Sequence, residues 1–381
     1  MFMKIYKAYK FRLYPNNDQK ELINKTLGCA RFIYNHYLSK KKRLYEESKT
    51  KVSCYECIKD ITNLSKEYPW LKEVDSMSLR CTLFDLEDAF NGFFKGKGYP
   101  NFKNKEKKNS YRTNYTNDNI RIDVANKVIR LPKLKDVEIR GYRNLNNING
   151  RIINATVSKE PTGKYYVSVL VEEERDIKEI TPSKIVGLDL GIKDVVTTSD
   201  GEKYKNEKVI KKYERRIIRL QRQLSKKVKK SNNYIKLRKK IALLYSKISN
   251  ARKHNVHTIT NTIIKEYDII VTETLKIKNM IKNHRLAKSI MDVTWYEIIR
   301  QLEYKTKWSN KNMYKIDSYY PSSKKCNVCG HINKRVSDLR IREFECEECG
   351  NYHDRDINAS INIMIKGLEM HMDKITKEYN N

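Results

Sequence analysis

The chain has 381 residues, 39% of them hydrophobic, which is enough for about two to four domains with real cores. Its 79 Lys and Arg outweigh 46 Asp and Glu, leaving a formal charge of +33. A charge this large points to a polyanionic partner, nucleic acid well before an anionic membrane surface, because each neutralised phosphate releases counterions. No stretch reaches the roughly 20 apolar residues that span a bilayer, and the N-terminus lacks a signal peptide's apolar core. The cytoplasm is the expected compartment, and there paired cysteines bind metal more often than they form disulfides.

Residues 3–14, with Ile5, Ala8, Phe11 and Leu13 among polar partners, read as a first strand. Pro15-Asn-Asn-Asp18 ends it and caps a helix. Leu22, Thr26, Cys29, Ile33 and Tyr37 then recur at helical spacing, and Lys40–Lys51 is charged and helical in character. A second stripe at Leu79, Leu83, Leu86, Phe90 and Phe93 marks another helix, stopped by Gly96-Lys-Gly98-Tyr-Pro100. Residues 16–110 are thus a helical insertion. From about Tyr111 the period switches to two, predicting strands at Asn119–Asp123, Lys127–Leu131, Val137–Arg140, Ile152–Ser158 and Tyr165–Val171, with a turn at Pro161-Thr-Gly163. Together with the first strand these form a small β-barrel or sheet.

At Ile185 the character changes again. Val186–Leu190 and Val195–Ser199 resemble a hairpin, with a turn at Asp200-Gly201. Two basic helical stripes follow, at Tyr213, Ile217, Leu220 and Leu224 and at Leu237, Ile241, Leu244 and Ile248, separated by polar residues 226–233. They predict an antiparallel helical hairpin whose cationic faces contact a nucleic-acid backbone. Strand Ile269–Thr272, helix Tyr296–Trp308, strand Met313–Ile316, a cysteine knuckle and a helix from about Asn358 complete an α/β domain.

Three acids carry the chemistry. Asp189 and Glu273 end short β-branched runs that read as buried strands, and Asp356 sits in His353-Asp-Arg-Asp-Ile-Asn. A lone buried acid is costly unless several converge on a cation. Acids on neighbouring strands of one sheet, plus one from a helix, are what a ribonuclease-H-type site uses to hold two divalent ions for phosphodiester hydrolysis. Such oxygen ligands suit Mg²⁺, with Mn²⁺ as a substitute. Asp354 competes with Asp356 for the third place, and we assign Asp356 to the metal and Asp354 to a helix cap or supporting role.

Cys326-Asn-Val-Cys329-Gly and Cys346-Glu-Glu-Cys349-Gly are two C-x2-C pairs about sixteen residues apart. Four thiolates at this spacing predict a closed structural Zn²⁺ site. His331 and His353 read as bystanders. Cys54-Tyr-Glu-Cys57 lacks a second pair nearby, and Cys29 and Cys81 lie on apolar helical faces as core residues.

These stretches, with Lys7-Ala-Tyr-Lys-Phe-Arg-Leu-Tyr-Pro15, Gly187-Leu-Asp-Leu-Gly-Ile-Lys193, Lys282-Asn-His-Arg-Leu-Ala-Lys288, Pro321-Ser-Ser-Lys-Lys-Cys326 and His353 to Ile363, resemble the TnpB family in content and order. That family comprises transposon-encoded RNA-guided endonucleases, regarded as ancestral to type V CRISPR effectors. The resemblance implies an α/β and β multidomain protein. Residues 1–15 and 111–180 would be an oligonucleotide-binding-like wedge barrel, and 16–110 the recognition helices. Residues 181–318 and 353–381 would be a RuvC/RNase H-like nuclease domain, and 319–352 an inserted zinc ribbon. It also implies catalysis by Asp189, Glu273 and Asp356 with two Mg²⁺, zinc on Cys326, Cys329, Cys346 and Cys349, a guide RNA from the transposon end, and double-stranded target DNA next to a short flanking motif. A functional association with a transposase and nucleoid-associated activity would follow. Family members commonly carry Glu-Asp or Glu-Asn at the second acid, whereas Glu273 is followed by Thr274. Two readings compete: a guided DNA-binding repressor without cleavage, which should lack an acid, and an RNA-independent transposase or resolvase-like nuclease, which would not easily share the whole ordered motif set.

Overall fold

The computed structural model describes residues 2–105, 109–141, 148–176, 181–280, 282, 284–338 and 340–379. Residues 106–108 of the expected helical insertion, 177–180 of the expected wedge and Asn283 of the Lys282–Lys288 motif lie outside them. Two compact units divide the chain, Phe2–Asp176 and Ile177–Asn381.

The first unit begins with β1 (Phe2–Tyr14), which Pro15 ends by withholding a ladder donor. Asn16 accepts from the Gln19 backbone N–H at 2.8 Å, and Gln19 returns the bond to the Asn16 N–H at 3.0 Å. This capping box starts α1 (Asn17–Ser48). A second box, Ser53 with Glu56, opens α2 (Cys54–Glu67), and α3 (Ser76–Phe94) follows. Ile33, Tyr37 and Leu38 pack on Leu79, Leu83 and Leu86, with Cys29, Cys54 and Cys57 filling gaps in the same core. Burial pushes the Cys29 and Cys57 thiols up to about 11, so both stay protonated packing groups.

Six strands follow: β2 (Asn109–Asn114), β3 (Arg121–Asp123), β4 (Val128–Leu131), β5 (Lys135–Arg140), β6 (Arg151–Lys159) and β7 (Tyr165–Asp176). The antiparallel sheet runs β2-β6-β7-β1-β5-β4-β3. β1 pairs with β7 from Phe2↔Asp176 to Leu13↔Tyr165, and with β5 at Arg12↔Arg140. The three helices are therefore inserted between the first strand and the rest of its sheet. Tyr9, Phe11 and Leu13 meet Val167, Val169 and Val171 in one core beneath it.

The second unit opens with a meander of β8 (Ile185–Asp189), β9 (Asp194–Thr198) and β10 (Lys203–Lys205). The basic hairpin is α4 (Val209–Ser225) and α5 (Asn232–Glu266), closed by Ile217, Leu220, Ile241, Leu244 and Ile248. Then come β11 (Ile269–Glu273), α6 (Ile277–Met280), α7 (His284–Val293), α8 (Trp295–Trp308) and β12 (Asn312–Ile316). The small ribbon strands β13 (Glu343–Glu345) and β14 (Tyr352–Asp354) lead into α9 (Arg355–Tyr379).

The main sheet runs β10-β9-β8-β11-β12, with β11 parallel to both β8 and β12. Both faces are covered, which is why these strands read as continuous apolar runs. Val186, Leu188 and Ile270 face Ile259, Ile263, Ile298 and Leu302 of α5 and α8. Ile269, Val271 and Ile316 face Ile363 of α9. Gly187 is where α9 crosses β8: a Cβ there would run into the Ser360 carbonyl and the Met364 backbone. No described helix is long and apolar enough to cross a membrane.

Candidate active site

The parallel register pairs Leu188 with Thr272, so the next residues, Asp189 and Glu273, stand side by side at the C-terminal ends of β8 and β11. Asp356 lies in the first turn of α9, which packs across both strands. Burial, then the negative charges of Glu273 and Asp356, push the Asp189 carboxyl up to about 7, with the Arg355 guanidinium opposing them. Glu273 is likewise raised by burial, while a hydrogen bond from Ser322 Oγ to its Oε1 pulls it back. Arg342 approaches Asp356 at 3.6 Å, and Lys203 feels its charge. The three acids do not lie mutually within 4.8 Å, a spacing met among the described residues by the four cysteines alone. Oxygens shared between two ions about 4 Å apart, each bond about 2 Å long, can be as much as about 8 Å apart, so the wider spread fits a two-ion arrangement.

Asp354 is fully engaged elsewhere. Its Oδ1 caps α9 by accepting from the Asp356 and Ile357 N–H groups, both at 3.0 Å, and its Oδ2 takes Lys203 Nζ at 2.6 Å. Thr274 donates its hydroxyl to the Ile316 carbonyl at 2.7 Å, tying the end of β11 to β12 beside Glu273.

The four cysteine sulfurs lie within 4.8 Å of one another. Two matching turns present them. Gly330 N–H donates to the Cys326 carbonyl and Gly350 N–H to that of Cys346, each at 3.0 Å. Both glycines adopt positive φ, 82° and 69°, which a side chain would strain. Burial opposes a thiolate at Cys346, but N–H groups of Cys349 and Glu348 bring it down to about 6. Despite an N–H from His331, burial and the neighbouring sulfurs push Cys329 up to about 12. Four sulfurs this close cannot all ionise without a cation among them.

Sequence reasoning passed over several neighbours of these groups. His353, expected to be a bystander, places its Nε2 3.2 Å from Cys326 Sγ, whereas His331 sits 3.9 Å from Glu347. Ser322, Lys203 and Arg342 approach the acids; Ser322 lies in the Pro321–Cys326 stretch, but nothing in the local sequence of any of the three tells which acid it meets.

Residues 168–284 match a family described as "Probable transposase", and residues 295–363 one described as "Cas12f1-like, TNB domain". Residues 1–50 match a "Helix-turn-helix domain", although here they form a strand and one unbroken helix. A "Putative RNA-guided DNA endonuclease" of Streptomyces pristinaespiralis is 34% identical over 97% of this chain and 91% of its own length. "Putative RNA-guided DNA endonuclease InsQ" of Escherichia coli K12 is 32% identical over 96% and 93%. Among solved structures, the Cas12f1 chain of a Cas12f1-sgRNA-target DNA complex covers 95% of this chain and 99% of itself at TM-score 0.58 and 14% identity, a likeness of fold. The mini-RNA-guided endonuclease CRISPR-Cas_phi3 covers 96% and 92% at TM-score 0.50 and 9% identity. With one residue in three shared along nearly the whole of two relatives, the chain belongs to the TnpB family.

Proposed function

We propose that this protein is an RNA-guided DNA endonuclease that hydrolyses phosphodiester bonds at Asp189, Glu273 and Asp356. The observation that carries this reading is the convergence of three acids at one sheet end, in a chain sharing a third of its residues with two relatives named for that activity. Burial, with the added repulsion of Glu273 and Asp356, raises the Asp189 carboxyl to about 7, and a carboxylate held under that penalty is the sign of a site built around positive charge. When bound, two Mg²⁺ or Mn²⁺ ions would supply an activated water and neutralise the leaving oxygen. Asp189, which feels the charges of both other acids, would hold the ions together with them. Asp354 holds the first turn of α9, and with it Asp356, in register.

The cysteine cluster fits zinc. Tetrahedral Zn²⁺ with bonds of about 2.3 Å separates its sulfurs by about 3.8 Å, and Cys326–Cys349 and Cys329–Cys346 stand 3.7 and 3.6 Å apart. A site with four protein ligands leaves no open position for water, so its role is structural.

Guide RNA and target DNA would neutralise part of the +33 charge. The exposed face of α4 offers one such surface, where Arg215, Arg219, Arg222 and Lys226 line an open groove of about 490 Å³. The sheet of the first unit would serve as wedge and its helices as recognition elements. Base pairing would read the target while protein contacts read a short flanking motif. Asp189→Ala, Glu273→Gln and Asp356→Asn test the assignment: each should bind RNA and DNA like the wild type yet lose cleavage by at least about 1,000-fold. Cleavage retained in any of the three would remove that residue from the site.

A further inference from the structure

Ser322 lies 49 residues beyond Glu273 in sequence, yet its hydroxyl donates to Glu273 Oε1. What holds Ser322 there is a pair of asparagines on α9. Asn362 Nδ2 donates to the Ser322 carbonyl at 2.9 Å and to the Lys325 carbonyl at 2.6 Å. Asn358 Nδ2 donates to the Lys325 carbonyl at 2.8 Å, and its Oδ1 accepts the Asn327 N–H at 3.0 Å. Four residues apart, the two amides share a face of α9, and both are about 1% exposed. They therefore grip the chain on both sides of Cys326, the first sulfur of the cysteine cluster. Desolvated amides are retained only where their partners are fixed, so the grip is a rigid one.

We infer that Ser322, Asn358 and Asn362 form a positioning clamp that seats Glu273 for divalent-metal binding and couples that seat to the cysteine ribbon. The inference rests on the carboxylate reading above. Ser322 occupies one oxygen of Glu273 and so directs the other toward the ion, the role that hydrogen-bonding partners of metal-ligating carboxylates commonly play. Asp356 lies two residues before Asn358 on the same helix, so one grip fixes two acids at once. The ribbon stem is thereby a strut of the catalytic site as well as a separate fold.

The test uses the full-length protein with its RNA, in Ser322→Ala, Ser322→Thr, Asn362→Ala and the Ser322→Ala/Asn362→Ala double variant, with Asp189→Ala as reference. Mn²⁺ binding is measured by electron paramagnetic resonance, alongside the Mg²⁺ concentration that half-saturates cleavage, zinc content and RNA affinity. Ser322→Ala should weaken Mn²⁺ binding and raise the Mg²⁺ requirement by about 10- to 100-fold. Cleavage should recover at high Mg²⁺, and zinc and RNA binding should stay unchanged. Ser322→Thr, which keeps the hydroxyl, should restore the wild-type requirement. Asn362→Ala should show the same phenotype and add little in the Ser322→Ala background, since it acts through Ser322. If Ser322→Ala binds Mn²⁺ like the wild type while Asp189→Ala does not, the clamp is wrong and the carboxylate site stands. If Asp189→Ala also binds Mn²⁺ normally, the carboxylate reading fails and the clamp with it.

Discussion

Replacing Asp189 with asparagine should stabilise the metal-free protein while destroying its activity. Burial and two neighbouring acids raise this carboxyl from the ordinary 3.8 to about 7. Holding it ionised in the fold then costs as much as about 4 kcal/mol relative to the unfolded chain. The residue keeps some contact with solvent, so screening reduces the expected gain to about 2–4 kcal/mol. Below about pH 4 Asp189 is neutral in both states, and Asp189→Asn should match the wild type. As pH rises toward 7 the unfolded chain ionises first, wild-type stability falls, and the gap opens; above about 7 it is complete. For a unit of this size the full gap corresponds to about 4–16 °C in Tm. Thermal unfolding from pH 4 to 8, in buffer without Mg²⁺ and without a chelator that would strip the thiolates, measures it. Saturating Mg²⁺ should narrow the gap at pH 8, because only the wild type regains its ligand. A variant no more stable than wild type at pH 8 would show that the three acids do not crowd one another.

Other outcomes follow from single contacts. Cys349→Ser should lower zinc from one per chain to well below one and melt the ribbon, as read by metal analysis and proteolysis; unchanged zinc would refute a four-thiolate site. Gly187→Ala should cost about 3 kcal/mol or more in denaturant unfolding, since α9 cannot retreat from β8 without moving Asp356; a neutral result would mean the crossing is loose. Arg219→Gln/Arg222→Gln should weaken RNA binding and reduce the slope of log affinity against log salt by about 2, and an unaltered slope would take α4 out of the interface. At limiting Mg²⁺, cleavage should rise with pH through about 7, as protons leave Asp189, and more Mg²⁺ should move the midpoint to lower pH; a flat profile would mean that proton and metal do not compete there.

What was legible in the sequence was whatever local chemistry alone decides. The strands carrying Asp189 and Glu273 are legible because both sheet faces are buried, leaving short apolar runs rich in β-branched residues. The Asn16 cap and the cysteine spacing were equally local. The helical reading of Lys40–Lys51 stops short of α2, which no predicted element covers although the Ser53–Glu56 box marks its start. α5 extends past Ile248 to Glu266 because Val256, Ile259 and Ile263 resume the apolar stripe after the polar run Ser249–Asn255 hides it. The edge strands β2 and β10 were passed over, being short and only partly buried. Ser322 and Lys203 meet the acids across 49 and 151 residues, and only the folded chain brings such partners together.

The most direct measurement is to purify the protein with its RNA, replace the RNA's variable end, and follow where DNA is cut. Cutting should move to whichever DNA matches the new RNA end and lies beside the same flanking motif, and it should vanish with Asp189→Ala. Cutting that stays at a fixed sequence whatever the RNA, or that proceeds with no RNA at all, would contradict guidance by base pairing.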